Sequence, residues 1–185
     1  MQALCQTRLK HGADTYPGSP AVAAQLLRSE DKLHLAELHP GEFGKLKRAI
    51  GGGRARCRHQ DGFELAHALC PPQPRRGLLL IDPSYEIKSD YNRIPTHLAR
   101  IAKAWNVGIL FLWYPILNDL RHRPMLDQLE AQHEKSLRHE VFFKPAQKSH
   151  GMIGSGVFLC NPPFGMEDAA KEISDVFEKA SITSS

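Results

Sequence analysis

The stretch Gly77-Leu78-Leu79-Leu80-Ile81-Asp82-Pro83-Ser84-Tyr85 joins an apolar run to an Asp-Pro-x-aromatic ending. The run reads as a buried strand bounded by Gly77 and Pro83. Its ending would put a carboxylate, a prolyl carbonyl and an aromatic face at the mouth of a sheet. Those groups suit the capture of an exocyclic amino group on a flat base. The lone pair of such an amine is delocalised into the ring, so the amine is a poor nucleophile. Two acceptors for its hydrogens favour a pyramidal nitrogen and free the lone pair. Asp82 would be the first acceptor. Pro83 would supply the second through its carbonyl, while fixing the turn and bringing no N–H donor. Tyr85 would stack on the base for about 1–3 kcal/mol, and an extruded base would fill the pocket. A plain strand-to-loop turn, with the Pro and Tyr packed beneath it, explains the tetrapeptide equally well.

Two other acids stand where a strand should end. Glu37 closes a short apolar run at 33–38, and Asp61 follows a run at 55–60 with Gly62 beside it. In open α/β sheets ligands bind beyond the carboxyl ends of the strands. A carboxylate after the second strand of a nucleotide-binding sheet accepts the two ribose hydroxyls, which suits Glu37. Asp61 and Gly62 suit the edge of an adenine. Each acid could instead cap a helix or close a turn. The expectation is that Glu37, Asp61 and Asp82 converge on one rim.

A second stretch, Gly156-Val157-Phe158-Leu159-Cys160-Asn161-Pro162-Pro163-Phe164, repeats the strand-plus-aromatic pattern and locally matches an amino-group clamp better. Its position late in the chain argues for a structural role, as a rim loop bordering the substrate. Gly51-Gly52-Gly53 follows a helix and precedes a strand, the reverse of a phosphate cradle, and reads as a helix stop. Arg54, Arg56 and Arg58 alternate along a strand and could meet phosphates on one side or simply line a solvated edge. His34, His39, His59 and His67 have no metal-ligand spacing. Trp113-Tyr114-Pro115 reads as the end of a core strand.

The elements that would carry these residues alternate. Ser19 fits a helix N-cap and Pro20 the first helical position, opening a helix at 21–29. Further helices are expected at 42–50, 63–70, 91–105, 117–133 (kinked at Pro124) and 167–180. Strands are expected at 33–38, 55–60, 78–81, 107–114, 140–143 and 156–160, with a frayed tail at 181–185. Apolar strands alternating with helices predict an α/β domain with a mostly parallel sheet covered on both faces. Residues 1–185 read as a single domain.

Composition narrows the class. The chain is 42% hydrophobic and 24% charged, with net charge +4 and a pI near 8.9, which permits nucleic acid as a partner without requiring it. Cys5, Cys57, Cys70 and Cys160 form no CxxC pair and suit a reducing cytosol. No segment is long and apolar enough to cross a membrane, and residues 1–10 lack the apolar core of a signal peptide.

Six motifs occur in order: Tyr16-Pro-Gly-Ser-Pro, Glu37-Leu-His-Pro, Asp61-Gly-Phe, Asp82-Pro-Ser-Tyr, Leu112-Trp-Tyr-Pro and Gly151-Met-Ile with Asn161-Pro-Pro. With them the chain resembles the bacterial 23S rRNA adenine-N6 methyltransferase J family from about residue 16 to 180. The resemblance implies a Rossmann-like class I fold that uses S-adenosyl-L-methionine (AdoMet) to methylate N6 of an adenine in 23S rRNA, in the cytoplasm, as a monomer and without a metal. By motif match Ser19, Glu37, Asp61 and Gly62 would contact AdoMet. Asp82 would be catalytic and would also lie against the cofactor. Pro83 and Tyr85 would hold the base.

The family's Asp-Pro-Pro-Tyr is here Asp82-Pro83-Ser84-Tyr85, which keeps the three acceptor and stacking groups but loosens the turn. The family's first strand, with its Gly-rich AdoMet loop, and its last strand are expected to be missing. Interior strand edges would then be unpaired, at roughly 1–3 kcal/mol for each buried orphan group, so the isolated chain is expected to fold poorly and bind AdoMet weakly. The alternatives are an inactive remnant that serves as a binding piece, and a DNA adenine-N6 methyltransferase sharing the same clamp.

Overall fold

The structure is a computed structural model, and it describes residues 5, 8–9, 12–14, 16–50, 53, 55–86, 89–143 and 151–183. The chain divides into two compact units, Met1–Ala68 and Leu69–Ser185.

The first unit contains α1 (Ser19–Leu26), β1 (Leu33–Glu37), α2 (Pro40–Ile50), β2 (Ala55–His59) and the start of α3 (Gly62–Leu69). Strands β1 and β2 pair in parallel, Leu33 opposite Ala55 through Glu37 opposite His59. A parallel pair needs a crossover, and α2 supplies it. Phe43 of α2 stacks on His59 with ring centroids 5.0 Å apart. That contact seats α2 on the face holding Leu35 and Cys57. Side chains alternate along a strand, so His34, Ala36, Arg56 and Arg58 share the opposite face.

Helix α1 begins one or two residues earlier than its sequence suggests: Gly18 is the N-cap, and Ser19 already lies in the first turn with Pro20. Helix α2 is described as far as Ile50; Gly51 and Gly52, read as its stop, lie outside the described residues, as does Arg54.

The second unit contains β3 (Leu78–Ile81), α4 (Asp90–Ala104), β4 (Ile109–Leu117), α5 (Arg123–Gln132), β5 (Ser136–Phe142), β6 (Met152–Cys160) and α6 (Met166–Thr183). The strand order is β3-β4-β6-β5. Strands β3 and β4 are parallel, as expected, but β6 runs antiparallel to both of its neighbours. The connection from β5 to β6 is too short for a parallel crossover, so the strands form a hairpin. The core lies where Ile94, Leu98 and Ile101 of α4 and Met125, Leu126 and Leu129 of α5 are buried together with Leu110, Leu112, Tyr114 and Phe158 of the sheet. Each such burial is worth roughly 1.5–3 kcal/mol.

Several boundaries differ from the sequence reading: α5 starts at Arg123 instead of 117, β5 at Ser136 instead of 140 and β6 at Met152 instead of 156. Strand β4 continues through Pro115 to Leu117. It can carry a proline there because β3 ends opposite Leu112, leaving only the β6 ladder to satisfy. Pro124 does not kink α5; it sits in the first turn, where a missing N–H costs nothing.

Candidate active site

Asp82 follows the last residue of β3, at the carboxyl end of a parallel pair in which Ile81 lies opposite Leu112. It is exposed, and among the described residues no donor bonds its carboxylate. Protein packed around the carboxyl raises its pKa above the usual value through desolvation. The Pro83 carbonyl also receives no main-chain N–H among the described residues. Two acceptors, on consecutive residues, thus have no donor among the described residues, which an amino-group clamp requires.

Tyr85 is placed differently from an open stacking face. It is 6% exposed. Its hydroxyl donates to the Trp113 carbonyl at 2.6 Å. Its ring meets Tyr91 at 4.9 Å and Trp113 edge-on at 6.2 Å, centroid to centroid. The backbone there has φ of 56°, a left-handed conformation that is strained for a bulky residue. Burial raises the Tyr85 pKa well above the ordinary phenol range.

Tyr91 and Asp90, at the start of α4, are residues the sequence reading did not single out. Both are buried, and the Tyr91 hydroxyl has no hydrogen-bond partner among the described residues. The signal was present in the helical spacing of Tyr91, Ile94 and Leu98, one apolar stripe with a phenol at its head.

In the first unit, Glu37 ends β1 and Asp61 follows β2, so the parallel register brings both to one end of that sheet. Glu37 accepts the His39 N–H at 2.8 Å through Oε1. Asp61 accepts the N–H groups of Phe63 at 2.8 Å and Glu64 at 3.1 Å through Oδ1, which makes it the cap of α3. Each carboxylate keeps its second oxygen without a partner among the described residues. Ser19 opens α1, which precedes β1 in the chain. A side chain at Gly62 would make only ordinary contact with Ala36, at 4.0 Å. Packing alone therefore does not demand a glycine there.

The Asn161-Pro-Pro-Phe loop does not border the Asp82 end. Cys160 pairs with Leu110 near the start of β4, so Asn161 emerges at the opposite end of the sheet. Its amide donates to the carbonyls of Asn106 at 3.1 Å and Gly108 at 2.9 Å, and Phe164 is fully exposed. The antiparallel sense of β6 reverses which end its motif reaches.

An acid at the carboxyl end of each of β1, β2 and β3, with β6 reversed within the second sheet, gives a class I methyltransferase-like α/β fold. Protein LPL1258 from Legionella pneumophila has a solved structure that matches with TM-score 0.84 and 32% identity, over 95% of this chain and 66% of that one. A Clostridium thermocellum structure described as a candidate rRNA-methylase shares the fold alone, with TM-score 0.51 and 13% identity, over 80% of this chain and 82% of that one. Residues 1–184 match the family model described as Ribosomal RNA large subunit methyltransferase D, RlmJ. Ribosomal RNA large subunit methyltransferase J of Escherichia coli K12 is 39% identical over 160 residues, covering 85% of this chain and 57% of that protein. The Haemophilus influenzae protein of the same name is 35% identical over 171 residues, covering 90% of this chain and 60% of that protein. The chain belongs to the RlmJ family. It spans less than two thirds of these curated relatives' lengths.

Proposed function

We propose that this protein transfers a methyl group from AdoMet to N6 of an adenine in 23S rRNA. The observation that carries the reading is the donor-free pair of acceptors, Asp82 and the Pro83 carbonyl, after a parallel strand of an RlmJ-family chain. These acceptors would take the two hydrogens of the adenine amine and leave its lone pair aimed at the methyl donor. AdoMet supplies an electrophilic methyl group on a sulfonium that leaves readily, so the reading needs no metal. Asp82 must be ionised to accept a hydrogen bond from the amine and to stabilise the positive charge that grows on the nitrogen until one N–H proton is lost to water. Its raised pKa means that activity falls as pH drops through that value.

Glu37 would accept the ribose hydroxyls of AdoMet, and its unpaired Oε2 beside the engaged Oε1 supports that role. Asp61 would meet the adenine edge with its unpaired Oδ2 while Oδ1 keeps capping α3. Gly62 would let the cofactor approach, and Ser19 would donate from the start of α1. Asp82 would also lie against AdoMet. Pro83 and Tyr85 would hold the target base, with the Tyr85 ring leaving its packing against Tyr91 and Trp113 to stack on it. The two units serve as parts of one methyltransferase domain, acting as a monomer in the cytoplasm, where its RNA substrate is made. Among the described residues no helix is long and apolar enough to cross a membrane.

Transfer of labelled methyl from AdoMet to protein-free 23S rRNA, with duplex DNA in parallel, tests the reading. Label in N6-methyladenosine of the RNA supports it. Label in the DNA alone would make the protein a DNA adenine methyltransferase, and label in neither would leave a remnant.

A further inference from the structure

The face of the β1–β2 sheet opposite α2 carries an uncompensated positive surface. His34 lies directly across from Arg56, and Ala36 across from Arg58. Lys32 precedes His34 by two residues and extends the same row. Lys32, Arg56 and Arg58 are exposed. Among the described residues, neither arginine has an ion-pair or hydrogen-bond partner. Arg28 and Lys45 differ: Arg28 is held by Asp31, and Lys45 by Glu42.

We propose that this face, with Lys32, His34, Arg56 and Arg58, holds the sugar-phosphate backbone of an RNA strand. The proposal rests on the RNA-substrate reading above. Arg56 and Arg58 stand two residues apart on one strand, about 6.6 Å between Cα atoms. That separation is comparable to the spacing of successive phosphates along a single RNA strand, so each guanidinium can take one phosphate. Ala36, directly across from Arg58, is small, and the start of α3 at Gly62 approaches it, so the open part of the row is the Lys32, Arg56 and Arg58 side. His34 lies directly across from Arg56, and its Nδ1 is buried without a hydrogen-bond partner among the described residues, so it contributes to the row by its place and not by that nitrogen. The His34 pKa is lowered first by burial, then by Arg56, Arg58 and Lys32, and no carboxylate offsets them. The cations therefore reinforce one another at a point where no protein anion answers them. A polyanion with regularly spaced charges answers them best, which favours RNA over an acidic peptide.

Fluorescence anisotropy with the 185-residue chain and a fluorescein-labelled hairpin RNA, titrated across a potassium chloride series, tests this. Arg56→Gln/Arg58→Gln should lower the slope of log affinity against log salt by about 1.4–1.8, the loss of two phosphate contacts. Lys47→Gln/Arg48→Gln removes the same charge from the last turn of α2 and should leave that slope unchanged. Arg56→Lys/Arg58→Lys, which keeps the charge, should retain most of the slope and controls for folding. Equal slopes in both glutamine pairs, no RNA binding by the wild-type chain, or competition by polyglutamate as strong as by unlabelled RNA would each overturn the proposal. Methyl transfer is scored separately. A chain that methylates rRNA but keeps its slope in Arg56→Gln/Arg58→Gln refutes the surface alone. One that loses the slope but transfers no methyl group refutes the activity alone.

Discussion

The Tyr85 hydroxyl donates to the main-chain oxygen of Trp113 at 2.6 Å. This bond ties the aromatic residue of the Asp82 loop to the neighbouring parallel strand β4, one residue beyond the point where β3 stops pairing with it. It closes the ring into a pocket of its own aromatic neighbours, against a left-handed backbone at φ 56°.

Tyr85→Phe removes that bond and keeps the ring. It should lower the unfolding free energy by about 1 kcal/mol, read by urea denaturation, while sparing much of the methyl transfer. Tyr85→Ala also removes the stacking face and should abolish transfer. Full activity in Tyr85→Ala would exclude a base-holding role.

Asp61 serves two ends, a helix cap and a proposed cofactor contact, and the two can be separated. Asp61→Asn keeps an acceptor for the Phe63 and Glu64 N–H groups and should fold like the wild type. Asp61→Ala should lose about 1 kcal/mol of stability. AdoMet affinity by calorimetric titration should fall in Asp61→Ala and in Glu37→Ala, the latter with little change in stability. Unchanged affinity in Glu37→Ala would remove Glu37 from the cofactor site.

His122 is 1% exposed, stacked on Tyr114, with Nε2 3.9 Å from Glu140 and Nδ1 without a partner among the described residues. Burial lowers its pKa, opposed by Glu140 and Asp119 and aided by Arg123 and Arg138. The folded state therefore resists protonation more than the unfolded state does. Stability is full above about pH 6.5, the unfolded value, and is lost as pH falls through it towards the lower folded value. His122→Gln should flatten the pH dependence of the melting temperature in that range. An unchanged acid limb would contradict this account of the site.

Gly156 faces Tyr114 across the β4–β6 ladder, and an added Cβ would fall inside the Tyr114 ring. Tyr114 is itself fully buried and bonds Glu140 at 3.0 Å. Gly156→Ala should cost about 1–3 kcal/mol, measured by thermal or urea unfolding. A neutral result would mean that the Tyr114 ring yields without loss.

Much of this was legible in the sequence because strand ends leave local marks. The apolar run before Asp82, the short run ending at Glu37 and the Asp61-Gly62 break each appear at the expected strand end. What was not legible depends on pairing. The reversed direction of β6 sends Asn161 away from Asp82, and no local pattern encodes direction. Pro115 read as a strand end because the sequence does not reveal that β3 stops beside Leu112. Tyr85 read as an open face because its burial comes from Trp113 and Tyr91, both distant from the motif's own pattern.

The central claim is that Asp82 acts on an adenine amine of 23S rRNA. Mass spectrometry of nucleosides from 23S rRNA tests it in cells lacking the gene and complemented with wild type or Asp82→Ala. The account predicts that N6-methyladenosine at the target falls without the gene, returns with wild type, and stays about 100-fold or more below it with Asp82→Ala. Restoration by Asp82→Ala, or a level unaffected by loss of the gene, would contradict it.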